Sequence, residues 1–181
     1  ANHQQLLRVD RETRQLLSTR EESELLENIQ TLLDRYPINA LLFQDYNKGI
    51  LTPHVIQQCI AWAKGKNIIT VVDPKKDHFF AYKGVTLFKP NLKEVRDSLP
   101  FQIDPKKEDL NRAAAYLRKQ LNSQIHLITL SEHGLFIEDE EGGDIFPTHS
   151  RNITDVCGAG DTVVSIAPCF PICREGRFVK R

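Results

Sequence analysis

Short apolar runs without a polar face, alternating with longer stretches of helical period, constrain this chain more than any other feature. Ala40 to Phe43, Ile68 to Val72, Val85 to Phe88 and Ile125 to Leu130 read as such runs. A strand that faces water on one side alternates apolar with polar residues, whereas a continuous apolar run is covered on both sides, as in a parallel sheet. The intervening stretches carry helical stripes. Over Glu21 to Tyr36 the stripe is Leu25, Leu26, Ile29, Leu32 and Leu33, and Pro37 ends it. Thr52 reads as an N-cap with Pro53 at the first helical position, ahead of a face formed by Val55, Ile56, Cys59, Ile60 and Ala63. A short helix is predicted around His78 to Tyr82. A longer one, capped at Asp104-Pro105, has Leu110, Ala113, Ala114, Leu117 and Leu121 on one side. Gln4 to Asp10 reads as an edge strand. Leu135 to Ile137 and Asp144 to Pro147 read as an antiparallel pair around Glu141-Gly142-Gly143. Strands alternating with helices predict an α/β fold, a parallel sheet with helices on both faces. At 181 residues, with no internal repeat, low-complexity segment or linker, a single domain is expected.

Composition narrows the function. Lysine plus arginine and aspartate plus glutamate are 24 each, so the net charge is zero. A nucleic-acid binder is expected to carry a basic excess, so no nucleic-acid partner is expected. The first residues are polar, and the longest apolar stretch, Val163 to Cys173, is interrupted by Pro168 and Pro171. No signal peptide and no membrane partner are expected. Cys59, Cys157, Cys169 and Cys173 follow no secreted disulfide pattern, and Cys59 falls on a buried helical face, which fits a cytoplasmic protein. Cys169 and Cys173 lack the second pair or histidine that a zinc site needs. The six histidines have no metal-ligand spacing. There is no Gly-x-x-x-x-Gly-Lys-Ser/Thr loop and no early Gly-x-Gly-x-x-Gly.

In open α/β sheets ligands lie beyond the carboxyl ends of the strands. The residues following the four core runs are Asp45, Lys48 and Gly49; Asp73 and Lys75; Lys89, Asn91 and Glu94; and Thr129, Ser131 and Gly134. Lysines neutralise phosphate charge. Asn91 and Glu94 suit Mg²⁺ through water. Thr129, Ser131 and Gly134 suit phosphate oxygens or a nucleotide. Each group also has a plain structural reading. Asp45 to Gly49 and Ser131 to Gly134 make acceptable turns, Asp73-Pro74 a strand exit, and Asn91 with Glu94 a helix capping box. The last pair can serve both purposes.

Near the end of the chain stands Asp155-Val156-Cys157-Gly158-Ala159-Gly160-Asp161-Thr162. Glycines let backbone amides approach a ligand. A helix starting near Gly158 would aim unpaired amides and the positive end of its dipole at an anion. Asp161 beside such a socket makes sense if it removes a proton from a hydroxyl that attacks a phosphoryl group. A plain Gly-x-Gly turn is the local alternative.

This stretch resembles the Asp-Thr-x-Gly-Ala-Gly-Asp signature of the ribokinase-like (PfkB-type) carbohydrate kinases, and Lys89-Pro90-Asn91-Leu92-Lys93-Glu94 resembles that family's Asn-x-x-Glu motif. Asp45-Tyr46-Asn47-Lys48-Gly49, Asp73-Pro74-Lys75, Gln4 to Asp10 and Tyr82 to Leu87 narrow the likeness to heptose 7-phosphate kinase / heptose 1-phosphate adenylyltransferase kinase domains. The likeness runs from about Asn2 to Ala167. It implies ATP-dependent transfer of the γ-phosphoryl group to the anomeric hydroxyl of D-glycero-D-manno-heptose 7-phosphate, in ADP-heptose and lipopolysaccharide core synthesis. On the resemblance, Asp161 is the general base, and the amides of Gly158, Ala159 and Gly160 form the anion hole. Asn91 and Glu94 position Mg²⁺ and its waters, while Thr129, Ser131 and Gly134 line the nucleotide site. Lys48, Lys75 and Lys89 contact phosphates, and Asp155 supports a monovalent cation such as K⁺. The implied partners are a sugar phosphate and ATP, with a homodimer as the candidate assembly.

Three departures accompany the likeness. Cys157 stands where another small residue is commoner. The front of the family domain, with its Gly-Gly-rich sugar-binding segment and lid, is not matched, and neither is an adenylyltransferase domain. Beyond Ala167 two prolines break the helix that the family continues. The expectation is therefore that residues 1–167 are the C-terminal part of a ribokinase-like domain and 168–181 an atypical, disordered tail. Two alternatives accompany it: another ribokinase-like sugar or nucleoside kinase, and an inactive remnant that binds nucleotide weakly.

Overall fold

The computed structural model describes residues 13–147 together with Ser165. The strand predicted at Gln4 to Asp10 and the Asp155 to Thr162 stretch lie outside the described residues. Helix α1 spans Thr19–Arg35, strand β1 Ala40–Gln44, helix α2 Pro53–Gly65, β2 Ile69–Asp73 and β3 Leu87–Phe88. Helices α3 (Leu92–Ser98) and α4 (Lys107–Leu121) precede β4 (Ile125–Thr129), β5 (Leu135–Asp139) and β6 (Gly142–Phe146). The six strands form one sheet in chain order. β1 to β4 are parallel, and β5 and β6 extend the sheet antiparallel.

Sequential order in one direction has a consequence. Crossovers between parallel strands are right-handed, so each connecting segment falls on the same side of the sheet. One core gathers Val55, Ile56, Cys59 and Ile60 of α2 and Leu110, Ala113, Ala114, Leu117 and Leu121 of α4 against Phe43, Val72, Phe88, Ile128 and Phe136 of the sheet. Val95 of α3 and Leu26 of α1 join the same core. The described helices thus cover one face. The other face carries Val71, Leu87, Ile125 and Leu127, which are buried too, as strands without a polar side require.

The helix stripes read from the sequence are largely the buried ones. The faces of α2 and α4 match residue for residue. Thr52 caps α2, accepting from the Val55 amide. In α1, Leu26 and Leu33 are buried, but Leu32 is 50% exposed. That helix starts earlier than its stripe, because Ser18 and Glu21 close a capping box. Other local expectations were displaced. The segment predicted as a helix around His78 to Tyr82 is a 3-10 turn at Lys76–His78 followed by irregular chain. It leads Phe79 and Tyr82 into the core, where Phe79 meets Phe88 edge-on at 5.1 Å and Tyr82 meets Phe43 at 5.7 Å. The cap of α4 is Lys106, without a side-chain bond, rather than Asp104-Pro105; the Asp104 amide donates to Asp109 instead. Gly142 and Gly143 belong to β6 and not to the turn before it. Gly143 lies against the Phe136 ring and Asn111, where a Cβ has no room.

Candidate functional site

The register of the parallel strands brings their carboxyl ends to one edge. Gln44 pairs with Asp73. The Asp45 amide donates to the Asp73 carbonyl at 3.2 Å, and the Lys89 amide to the Val72 carbonyl at 2.9 Å. Asn91 bridges to Thr129, whose amide donates to the Pro90 carbonyl at 3.1 Å. Asp45, Asp73, Lys89, Asn91 and Thr129 therefore stand side by side at the ends of four neighbouring strands.

Their side chains form one charged network. Lys89 Nζ lies 3.2 Å from Asp73 Oδ2, and the Lys89 side chain is only 3% exposed. Lys75 Nζ lies 2.5 Å from Glu94 Oε1 and 4.0 Å from Asp73 Oδ1. The other Glu94 oxygen, Oε2, accepts the Asn91 amide at 2.8 Å, while Asn91 Oδ1 accepts the Glu94 amide at 2.8 Å. This capping box starts α3, so the capping reading of Asn91 and Glu94 holds, and it leaves Glu94 Oε1 directed at a cation. Burial pushes the Asp73 carboxyl above its ordinary range, against the pull of Lys89 and Lys75. For Lys75, burial works against the ammonium, but the bond and charge of Glu94, with Asp73 and Asp45, hold its pKa above the ordinary value.

Asp45 is anchored from below. It is 3% exposed. Its Oδ2 accepts the Tyr82 hydroxyl at 2.8 Å, and its Oδ1 accepts the Asn47 amide at 2.8 Å. Burial, then the Asp45 charge, push the Tyr82 phenol far above its ordinary pKa, so it stays a donor. Asn47 turns the chain with a φ of +53°. Its Oδ1 is buried without a hydrogen-bond partner among the described residues. Gly49, at φ +83°, passes under the Gln15 carbonyl, a crossing that any Cβ would block. Past this turn, Lys48 lies with its ammonium 5.9 Å from the centre of the Tyr46 ring. It lines an open groove of about 730 Å³ with Leu42, Gln44 and Ile50.

After β4, Ser131–His133 form a 3-10 turn with Ser131 at φ +54°. Gly134, at φ +96°, lies against the Phe146 carbonyl, where a Cβ has no room. The tight-turn reading of Ser131 to Gly134 is thus realised, and Gly134 has a packing reason of its own. Asp155, Gly158, Ala159, Gly160 and Asp161 fall outside the described residues.

Tyr82 is the member that sequence reasoning missed. The sequence places it at the end of a short helix and in a stretch that narrows the family likeness, and nothing local marks a hydroxyl that meets Asp45 from 37 residues away. The buried pairing of Lys89 with Asp73 was also hidden, because a lysine after a strand looks like a free phosphate contact.

The arrangement can receive an anion beside a carboxylate. Lys75, at 35% side-chain exposure, can reach solvent and an anion there, whereas Lys89 is committed to Asp73 within the fold. Among the described residues no group of three or more His, Cys, Asp or Glu side chains could cage a metal. Mg²⁺ does not need one: it keeps several waters and takes one or two carboxylates plus substrate phosphates. Glu94 Oε1, already in contact with a cation, fits that water-mediated mode.

Comparison with known proteins agrees with this geometry. Residues 9–166 match the pfkB family carbohydrate kinases. The chain is 37% identical over 167 residues to the bifunctional protein HldE of Syntrophotalea carbinolica, covering 92% of this chain and 34% of that protein. It therefore spans about a third of the length of such relatives. Its fold is that of Escherichia coli phosphofructokinase-2 solved with potassium (TM-score 0.73, 18% identity, 88% of this chain and 51% of that one). It is also that of Arabidopsis thaliana ribokinase solved with ribose and ATP (TM-score 0.62, 16% identity, 86% and 47%). The match to the family over residues 9–166, on a mostly parallel sheet of the same fold, shows that this chain belongs to the pfkB family of carbohydrate kinases.

Proposed function

We propose that the chain is the C-terminal part of a kinase domain that transfers the γ-phosphoryl group of ATP to the anomeric hydroxyl of D-glycero-D-manno-heptose 7-phosphate. The observation that carries this is the gathering of Lys75, Lys89, Asn91 and Glu94 at the strand ends in a pfkB-family chain whose relatives include HldE proteins. Residues 1–167 form the kinase portion in this reading, and 168–181 lie beyond the family match, which ends at residue 166. An enzyme that consumes ATP and a sugar phosphate belongs in the cytoplasm. The homodimer and the K⁺ site at Asp155 belong to the same reading. The potassium-bound phosphofructokinase-2 structure supports the K⁺ assignment.

Phosphoryl transfer asks a protein mainly for positioning and charge stabilisation. Mg²⁺, when bound with ATP, neutralises phosphate charge as it develops. The chain's own part begins with Asp161, which takes the proton of the attacking hydroxyl. The amides of Gly158, Ala159 and Gly160 hold the oxygens of the transferring group, with each donor contributing about 3 kcal/mol. Glu94, oriented by its bond to the Asn91 amide, would hold Mg²⁺ through water once the metal is bound. Lys75 binds phosphate oxygens and Lys48 a phosphate at its own groove. Lys89 sets the field around them from its pairing with Asp73, and Thr129, Ser131 and Gly134 flank the nucleotide.

The test is phosphoryl transfer from ATP to the heptose 7-phosphate by this chain and by Asp161→Asn. Turnover by the parent and its loss in the variant are expected. No turnover by the parent would overturn the activity, and equal turnover in both would overturn the role of Asp161.

A further inference from the structure

Lys75 and Lys89 look alike in sequence but are held differently. Lys89 is 3% exposed and closes on Asp73 Oδ2 at 3.2 Å, a fixed pair within the fold. Lys75 is 35% exposed at its side chain and lies beyond bonding distance of Asp73, 4.0 Å from Oδ1. Its single close partner among these carboxylates is Glu94 Oε1, at 2.5 Å. The two oxygens of Glu94 are divided. Oε2 is fixed by the Asn91 amide, which sets the plane of the carboxylate, and Oε1 is left for whatever positive group is nearest. An ammonium and a hydrated divalent cation both offer that oxygen N–H or O–H donors, so they compete for it. An arriving polyphosphate removes the conflict, since it gives a flexible ammonium a second partner of high charge.

We propose that Lys75 is a resident counter-cation of Glu94, holding Oε1 in the absence of ligand and moving to a phosphate oxygen when the hydrated metal and its nucleotide take that place. This rests on the kinase reading above and adds an exchange to it: the metal and the lysine are alternatives at one oxygen. Lys75 then holds Glu94 in the free chain and binds phosphate in the loaded one. It keeps the carboxylate in place between turnovers, and it makes metal binding without nucleotide weak. Binding of metal together with nucleotide is favoured, because only then do both cations have partners.

The test uses the full chain and Mn²⁺ alone, with free Mn²⁺ measured by electron paramagnetic resonance. Lys75→Met is expected to bind Mn²⁺ about tenfold more tightly than the parent, roughly the effect of removing one charge a few ångströms from a divalent ion near solvent. Lys93→Met makes the same change in net charge one residue from Glu94 in sequence and is expected to leave Mn²⁺ affinity near that of the parent. Lys75→Arg keeps the competing charge and is expected to keep the weak binding. A second readout does not depend on a variant folding: acylation of lysine amines in the parent chain, followed by mass spectrometry. Saturating Mg²⁺ alone is expected to raise the reactivity of Lys75 and leave that of buried Lys89 unchanged. Equal Mn²⁺ affinities for Lys75→Met and Lys93→Met, absence of Mn²⁺ binding in all forms, or a Lys75 reactivity indifferent to Mg²⁺ would each overturn the exchange. Phosphoryl transfer is not among these readouts. A chain that exchanges the two cations without turnover therefore counts against the kinase activity and not against the role of Lys75.

Discussion

Replacing Lys89 by methionine keeps most of its stem and removes one charge from a pair that is almost out of water. Lys89 is 3% and the Asp73 side chain 12% exposed. Breaking a buried pair on one side typically costs about 3–5 kcal/mol, because the remaining charge is left without compensation. Lys75, 4.0 Å from the other Asp73 oxygen, remains, so we place this variant at the low end, about 3 kcal/mol. For a chain of this size that lowers Tm by roughly 6–12 °C. The pH dependence identifies the cause. Burial already raises the Asp73 carboxyl, and a group whose folded pKa is raised contributes stability that is full below its unfolded pKa and lost as pH rises through the folded one. Removing Lys89 raises it further. The deficit of Lys89→Met should therefore be smaller near about pH 4, where the carboxyl can stay protonated, than near about pH 7, growing as pH rises through the raised folded pKa. Urea unfolding of parent and variant at both pH values measures it. The double variant Asp73→Asn with Lys89→Met should recover much of the loss. Equal deficits at the two pH values, or a double variant as unstable as the single, would refute the assignment to an uncompensated Asp73 carboxylate.

Tyr82→Phe leaves the ring in the core but takes the donor from Asp45 Oδ2; a loss of about 1–3 kcal/mol is expected in the same unfolding experiment. Gly143→Ala drives a methyl into the Phe136 ring and Asn111, where overpacking costs typically about 1–3 kcal/mol; a thermal melt indistinguishable from the parent would count against the packing described. His126 is buried and bonded to Ser123 Oγ and Glu138, both at 2.8 Å. Burial lowers its pKa below the ordinary value. Glu138 is lowered as well: burial opposes its charge, but the bonds from His126 and Arg118 outweigh that. We read a neutral His126 beside a Glu138 carboxylate whose charge Arg118 compensates. In both groups the unfolded chain binds protons first, so their contribution falls as pH drops below about 6.5 and further through the carboxylate range. His126→Gln should flatten the upper part of that decline in a pH series of melts.

Much of the fold was legible because burial repeats at fixed intervals. The stripes of α2 and α4 came out residue for residue, since a helix that packs on a sheet shows its face in its spacing. The strands were legible from apolar runs, and the cap at Thr52 from the residue pair itself. What failed was local chemistry outvoted by tertiary contacts. Tyr82 and Phe79 fall in a stretch with helical spacing, yet the aromatic cluster with Phe43 and Phe88 draws them inward along an irregular path. Gly142 and Gly143 look like a turn, but both lie in the strand, where the lack of space beside Phe136 keeps a glycine at 143. At the site, Asn91 and Glu94 were readable because a capping box is a four-residue pattern. The partners of Asp45 and Asp73 were not.

By itself the sequence determined the alternation of elements, the faces they bury and which residues end each parallel strand. Each of these follows from periodicity and from residue types a few positions apart. Only the tertiary structure decided how those residues share their charges. Lys89 closes on Asp73, Lys75 on Glu94 and Tyr82 on Asp45. These pairings join segments that meet only after the sheet sets its register, and burial then fixes which lysine is held within the fold and which can reach solvent.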